Sequence, residues 1–240
     1  MTMKILALDS SAKSASVAVL TDGAVTAYAY QSTGLTHSRT LMPMLEDMLK
    51  NSDMALGDID AYAVAVGPGS FTGLRIGISA IKGLAFAEDK PCRAVSTLLA
   101  MATPLAHADG SLIVCAMDAR REQIYHALFL AEGNSLRRLC DDTALSLSDA
   151  ADRVETDKNL RHLRKIIVGD GAELCYDYFL KRSIDCLLAP PMLLRQSAVG
   201  VGLAALGAED VSASALAPVY LRPPQAERLR NARLSDGILQ

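Results

Sequence analysis

Tryptophan is absent from this 240-residue chain, and other aromatics are few: four phenylalanines and seven tyrosines, 5% of the total. A core built with so few large rings has to be filled by aliphatic side chains and alanine, and half of the residues are hydrophobic. The only histidines are His37, His107, His126 and His162, with no H-x-x-x-H or H-E-x-x-H pair, so a zinc or iron site has no support. The five cysteines are scattered and form no C-x-x-C pair. That excludes a disulfide framework or structural zinc cluster and points to reduced, buried thiols. There is no G-x-S-x-G elbow for a hydrolase nucleophile. No apolar run approaches the roughly 20 residues that span a bilayer. The N-terminus enters a strand-like run with no signal-peptide core, so a cytoplasmic location without membrane attachment is expected. A cationic surplus is missing too: 24 Lys and Arg against 27 Asp and Glu leave a net charge of −3, too little for gripping nucleic acid by bulk charge.

What is present is an alternation of short strands and helices. Ile5–Asp9, Ser14–Leu20 and Ala24–Tyr30 read as an antiparallel meander joined by turn-rich connections. Leu41, Met44, Leu45, Met48 and Leu49 recur at helical spacing and predict a helix over Ser38–Lys50. Pro43 fits there if Thr40 is the N-cap, or kinks a helix that starts at Ser38. Ala61–Val66 is a strand, 73–87 a helix, Pro91–Val95 a strand, and Thr97–His107 a helix broken near Pro104. A second unit follows: strands at Ser111–Met117 and Gln123–Leu130, a helix at Ser146–Val154 capped by Ser146 or Ser148, and a strand at Lys165–Val168. Then come a helix at Ala172–Lys181, a strand at Ile184–Leu188, a helix at Ser197–Leu206 and a last short strand at Pro218–Leu221. This order is not the all-parallel Rossmann order, and the two halves are loosely alike. Residues 1–108 form one expected subdomain, rejoined by the helix near 197–208; 109–222 form the other; 223–240 are expected to be a polar, frayed tail.

Three motifs carry chemistry. Asp9-Ser10-Ser11 ends the first strand in a hydroxyl-rich turn, which either cradles phosphate through backbone N–H groups or simply caps its own hairpin. Gly67-Pro68-Gly69-Ser70-Phe71-Thr72-Gly73 sits between strand and helix but lacks the lysine and spacing of a Walker A loop and the third glycine of a Rossmann fingerprint. The helix after it carries two small-residue rows, Gly73/Gly77/Ala80 and Ser79/Gly83/Ala87. Interior glycine costs about 1 kcal/mol against alanine, so something packs closely on this helix, either its own sheet or a helix from another subunit. Asp118-Ala119-Arg120-Arg121-Glu122 is a charged turn.

From Ile5 to Arg222 the chain resembles the TsaB (YeaZ) family. The likeness rests on Leu6–Ser10, the run from Gly67 to Gly77 (the most specific), Val95–Leu98, Met117–Arg120 and Pro218–Arg222, in that order. The resemblance implies an α/β fold of two actin-like halves (ASKHA, ribonuclease-H-like), each a mixed sheet flanked by helices. It implies a non-catalytic scaffold in the tRNA threonylcarbamoyladenosine machinery, with a TsaD-type catalytic subunit as partner. A TsaE-type ATPase and tRNA would be reached only through that complex. Where TsaD-type relatives carry two metal-binding histidines four residues apart, Thr97 and Met101 stand here, unsuited to such a metal. No catalytic residue, metal or cofactor is therefore expected. A vestigial nucleotide site would comprise Asp9, Ser10, Ser11, Gly169, Asp170 and Gly171. The expected partner interface, also used for homodimerisation of the free chain, is Met44, Met48, Gly73, Gly77, Ser79, Ala80 and Gly83. The chain alone is expected to bind tRNA poorly, any contribution coming from the tail with Arg228, Arg230 and Arg233. The alternative is an actin-like ATP-dependent small-molecule kinase using Asp9 and the glycine-rich loop.

Overall fold

The computed structural model describes residues 2–222. The chain begins with the meander β1 (Lys4–Asp9), β2 (Ala15–Thr21) and β3 (Ala24–Gln31), then α1 (His37–Asn51), β4 (Ala61–Gly67), α2 (Phe71–Glu88), β5 (Cys92–Ser96) and α3 (Thr97–Ala102). The second run is β6 (Ser111–Asp118), β7 (Gln123–Glu132), β8 (Ser135–Arg138), β9 (Thr143–Ser146), α4 (Leu147–Thr156), β10 (Arg164–Val168), α5 (Ala172–Lys181), β11 (Cys186–Leu188) and α6 (Ala198–Ala205).

Strand order shows that the two runs repeat one plan. The first sheet is β3-β2-β1-β4-β5 and the second, read in the same sense, is β8-β7-β6-β10-β11, with β9 added beside β7. In each, three strands pair antiparallel and the last two join parallel. This is the duplicated ribonuclease-H-like arrangement of actin-like proteins, and it matches the fold class read from the sequence.

Alternation along the central strands sets the layers. Leu6, Leu8, Val17, Val19, Tyr62 and Val64 point toward α1 and α2. The opposite face carries Ile5, Ala7, Ala18, Ala63 and Ala65, and α6 lies on it through Ala198, Val201 and Ala205. Small residues on that face let α6 come close; a Cβ on Gly202 would press into the Leu20 side chain. The exchange is mutual, because α3, from the first run, packs Leu98, Met101 and Ala102 against Ile113, Cys115 and Phe129 of the second sheet. The outer face of that sheet is covered by α4 and α5.

Two open choices are decided and two expectations are corrected. Helix α1 starts at His37 after Thr36 and runs through Pro43, so Thr40 is not its cap, and burial of Leu41, Leu45, Met48 and Leu49 outweighs the lost N–H bond. Strands β8 and β9 were not anticipated; they are four-residue edge pieces with no buried alternation to betray them. Segment Pro218–Leu221 is not a strand but holds the Val66 carbonyl through the Val219 N–H at 2.7 Å. Of the two caps offered for α4, Ser146 is the one that accepts from the Asp149 N–H.

Candidate functional site

Between the halves lies a cleft of about 370 Å³, walled by the β1–β2 turn and glycine-rich loop on one side and by the β6–β7 turn and Asp170 on the other. Asp9, at the end of β1 and two residues before the lining Ser11, is 2% exposed. Its Oδ1 accepts from the Ser11 N–H at 2.8 Å and the Ser11 hydroxyl at 2.7 Å. Oδ2 is buried and has no hydrogen-bond partner among the described residues. Burial pushes the Asp9 carboxyl above its ordinary range; the Ser11 bonds and His37 oppose this, and Asp170 adds to it. Across the cleft, Asp170 Oδ1 accepts from Gln196 Nε2 at 3.0 Å and from the Asp118 N–H at 3.3 Å.

Of the expected nucleotide-site residues Ser11 and Asp170 line the cleft, whereas Asp9 and Ser10 are buried, and the groups a phosphate needs are already engaged. The Ser11 N–H serves Asp9, the Ser70 N–H donates to Ser11 O at 2.7 Å, and the Gly171 N–H donates to Ala116 O at 3.0 Å. Gly69 and Gly171 are required for close approach rather than for an anion: a Cβ would meet Ser11 O at 2.5 Å and Asp118 N at 2.8 Å respectively. Gly169 has φ +122° and backs onto the Ala116 carbonyl.

The expected interface set divides. Gly73 and Gly77 are buried against Ser10 of the chain's own first turn, and the Ser10 hydroxyl donates to Gly73 O at 2.8 Å. Met48 is 6% exposed and belongs to the core beneath α1. These three do not face outward, which corrects the reading of the Gly73/Gly77 row as a docking surface. The other row does: Ser79 and Gly83 are exposed, and a Cβ on Gly83 would have nothing within 4 Å. Met44 and Ala80 are half-buried at the edge of the core. Beside Ser79 and Ala80 runs a groove of about 600 Å³ between α1 and α2, with Leu41 and Met42 on its far wall. Phe86, one turn beyond Gly83, is 86% exposed, and sequence reading missed it because it broke the small-residue pattern.

Thr97 and Met101 lie on α3 and are fully or nearly buried, Met101 within the core of the second sheet. Among the described residues no group of three or more His, Cys, Asp or Glu could hold a metal ion, and no helix is long and apolar enough to cross a membrane. Arg228, Arg230 and Arg233 lie outside the described residues.

With this geometry, comparison with known proteins is consistent. Residues 31–217 match the family model described as TsaD, tRNA N6-adenosine threonylcarbamoyltransferase. The tRNA threonylcarbamoyladenosine biosynthesis protein TsaB of Haemophilus influenzae is 31% identical over 234 residues, covering 92% of this chain and 94% of that one. The protein of the same name from Escherichia coli is 38% identical over 135 residues, 56% of this chain and 58% of that one. The solved structure of YeaZ from Pseudomonas aeruginosa has a TM-score of 0.74 at 30% identity, covering 91% of this chain and all of that one. The fold, the glycine-rich loop and full-length likeness agree: the chain belongs to the TsaB (YeaZ) family.

Proposed function

We propose that this chain is a non-catalytic subunit of the tRNA threonylcarbamoyladenosine machinery, which docks a TsaD-type threonylcarbamoyltransferase on the α1/α2 face. The observation that carries the reading is the outward row of Ser79 and Gly83, open at the Gly83 Cβ position and continued by the exposed Phe86. Small residues admit a partner helix to close range, and an exposed ring at the end of the row supplies an anchor. In the isolated chain the same face is wet, and self-association through it is expected. A TsaE-type ATPase and tRNA reach the chain through the complex. The engaged N–H groups of the cleft, and Thr97 and Met101 in place of a histidine pair, support a role without chemistry of its own.

The test is Gly83→Leu. The variant should melt at or above the wild-type temperature and fail to co-elute with the purified TsaD-type protein. Normal co-elution of folded Gly83→Leu removes the face from the account. One observation favours the kinase alternative: Asp9 Oδ2 is buried with no hydrogen-bond partner among the described residues, next to the Ser11 turn that lines the cleft, and a carboxylate oxygen is the donor a hard cation takes. Steady ATP turnover by the isolated chain, lost in Asp9→Asn, would favour that reading over the scaffold.

A further inference from the structure

The C-terminal segment of the described chain crosses from one half of the molecule to the other. Its Val219 N–H is held by Val66 at the end of β4, and Gly67, with φ +131°, backs directly onto the Val219 carbonyl. Tyr220 stacks on Phe71, the first residue of α2, with ring centroids 4.7 Å apart. The Arg75 guanidinium lies 3.9 Å over the same Phe71 ring and donates through Nε to the Tyr220 hydroxyl at 3.0 Å. Arg222 then reaches the second half, donating through Nη1 to the Ala119 carbonyl at 2.8 Å in the β6–β7 turn. Val219 to Arg222 are themselves part of the cleft wall.

Phe71 and Arg75 have a second exposure: both line the α1/α2 groove, Arg75 one helical turn and Phe71 about two turns from Ser79. Phe71 also lines the cleft, and Arg75 reaches the cleft wall through its bond to Tyr220. We propose that Tyr220 and Arg222 form a latch over the cleft, and that a partner docked on the α1/α2 face releases it by taking Arg75. This rests on the docking reading above. Arg75 is exposed and has no carboxylate partner among the described residues. Its bond to a neutral phenol is of the weaker kind, whereas a carboxylate on an approaching helix binds a guanidinium with charge-assisted, bidentate bonds. The partner chemistry implied is a helix with an acidic side chain level with Arg75. Once the guanidinium turns outward, the Tyr220 hydroxyl loses the donor it accepts from and Phe71 loses its cation–π contact, so the Phe71–Tyr220 stack and the Arg222–Ala119 bond are left to hold the segment alone.

Two arms test this. In the isolated chain, Arg75→Ala and Tyr220→Ala should each speed hydrogen exchange of the Val219 amide about 2- to 10-fold, the worth of one aromatic or cation–π contact. Tyr220→Phe, which keeps the stack, should show a smaller gain. Unchanged exchange in both alanine variants overturns the latch whether or not any partner binds. In the second arm the purified TsaD-type protein is added. Docking should accelerate Val219 exchange in the wild type, and by reciprocity Tyr220→Ala should bind that protein about 2- to 10-fold more tightly than wild type. Affinity equal to or weaker than wild type, or Val219 exchange that stays the same or slows on binding, overturns the coupling. Absence of binding by wild type itself is a failure of the docking reading, and the latch then stands or falls on the first arm.

Discussion

A methyl group built on Gly77 would meet the Ser10 hydroxyl oxygen at 2.5 Å, and one on Gly73 would run into the Ser10 carbonyl. Nearly two turns further along the same helix, Gly83 faces open space. The stability effects should therefore diverge. Gly77→Leu has to push α2 away from the β1 turn and should lose about 1–3 kcal/mol, as overpacked sites do. Gly83→Leu pays no clash and removes a helix-breaking residue, so it should be neutral or gain up to about 0.8 kcal/mol. Urea denaturation of the two variants beside wild type checks the pair. Equal destabilisation would mean that both glycine rows are packed internally.

At the scale of elements, the first sheet has a large face and a small one. Leu6, Val64 and Tyr62 meet α1 and α2, whereas Ala7, Ala18, Ala63 and Ala65 meet α6. Helix α6 is only eight residues long and brings Gly200 against the Ala100 carbonyl of α3. Its position depends on that closeness rather than on length. Ala63→Leu inserts three heavy atoms where α6 lies and should cost about 1–3 kcal/mol. Val64→Ile, on the facing side, should cost under about 1.5 kcal/mol. Thermal melts separate the two; similar losses would show that α6 yields readily.

For the molecule as a whole, stability should fall on mild acidification because of one histidine. His126 on β7 is fully buried, with Nδ1 3.1 Å from the Cys115 carbonyl and Nε2 without a partner among the described residues. Burial, helped by Arg153, lowers its pKa from 6.5 to about 4. The unfolded chain takes up a proton at this site below about pH 6.5 and the folded chain does not until about pH 4. This contribution is complete above pH 6.5, declines as pH falls through that window, and is worth roughly 3 kcal/mol in total. Urea midpoints at pH 7.5, 6 and 4.5 should drop more steeply for wild type than for His126→Gln, and parallel slopes would show that the ring is already protonated or solvated when folded.

Much of this was decided along the chain. Local period marks elements, so the meander, α2 and α5 were legible within a residue or two, and Ser146 already stood where a cap belongs. The runs Leu6–Ser10 and Gly67–Gly77 carried the family likeness, which comparison supports. Edge strands β8 and β9 escaped because pairing, not pattern, makes them strands. The two glycine rows of α2 could not be told apart in sequence, since both are small at helical spacing and the period has no sign for inside and outside. Ser10, 63 residues earlier, decides which row is buried. The duplicated strand order, the exchange of α3 and α6 between halves, and the meeting of Tyr220 with Phe71 and Arg75 are likewise contacts between distant segments. Only closure of the chain on itself brings such segments together, and no local periodicity encodes them.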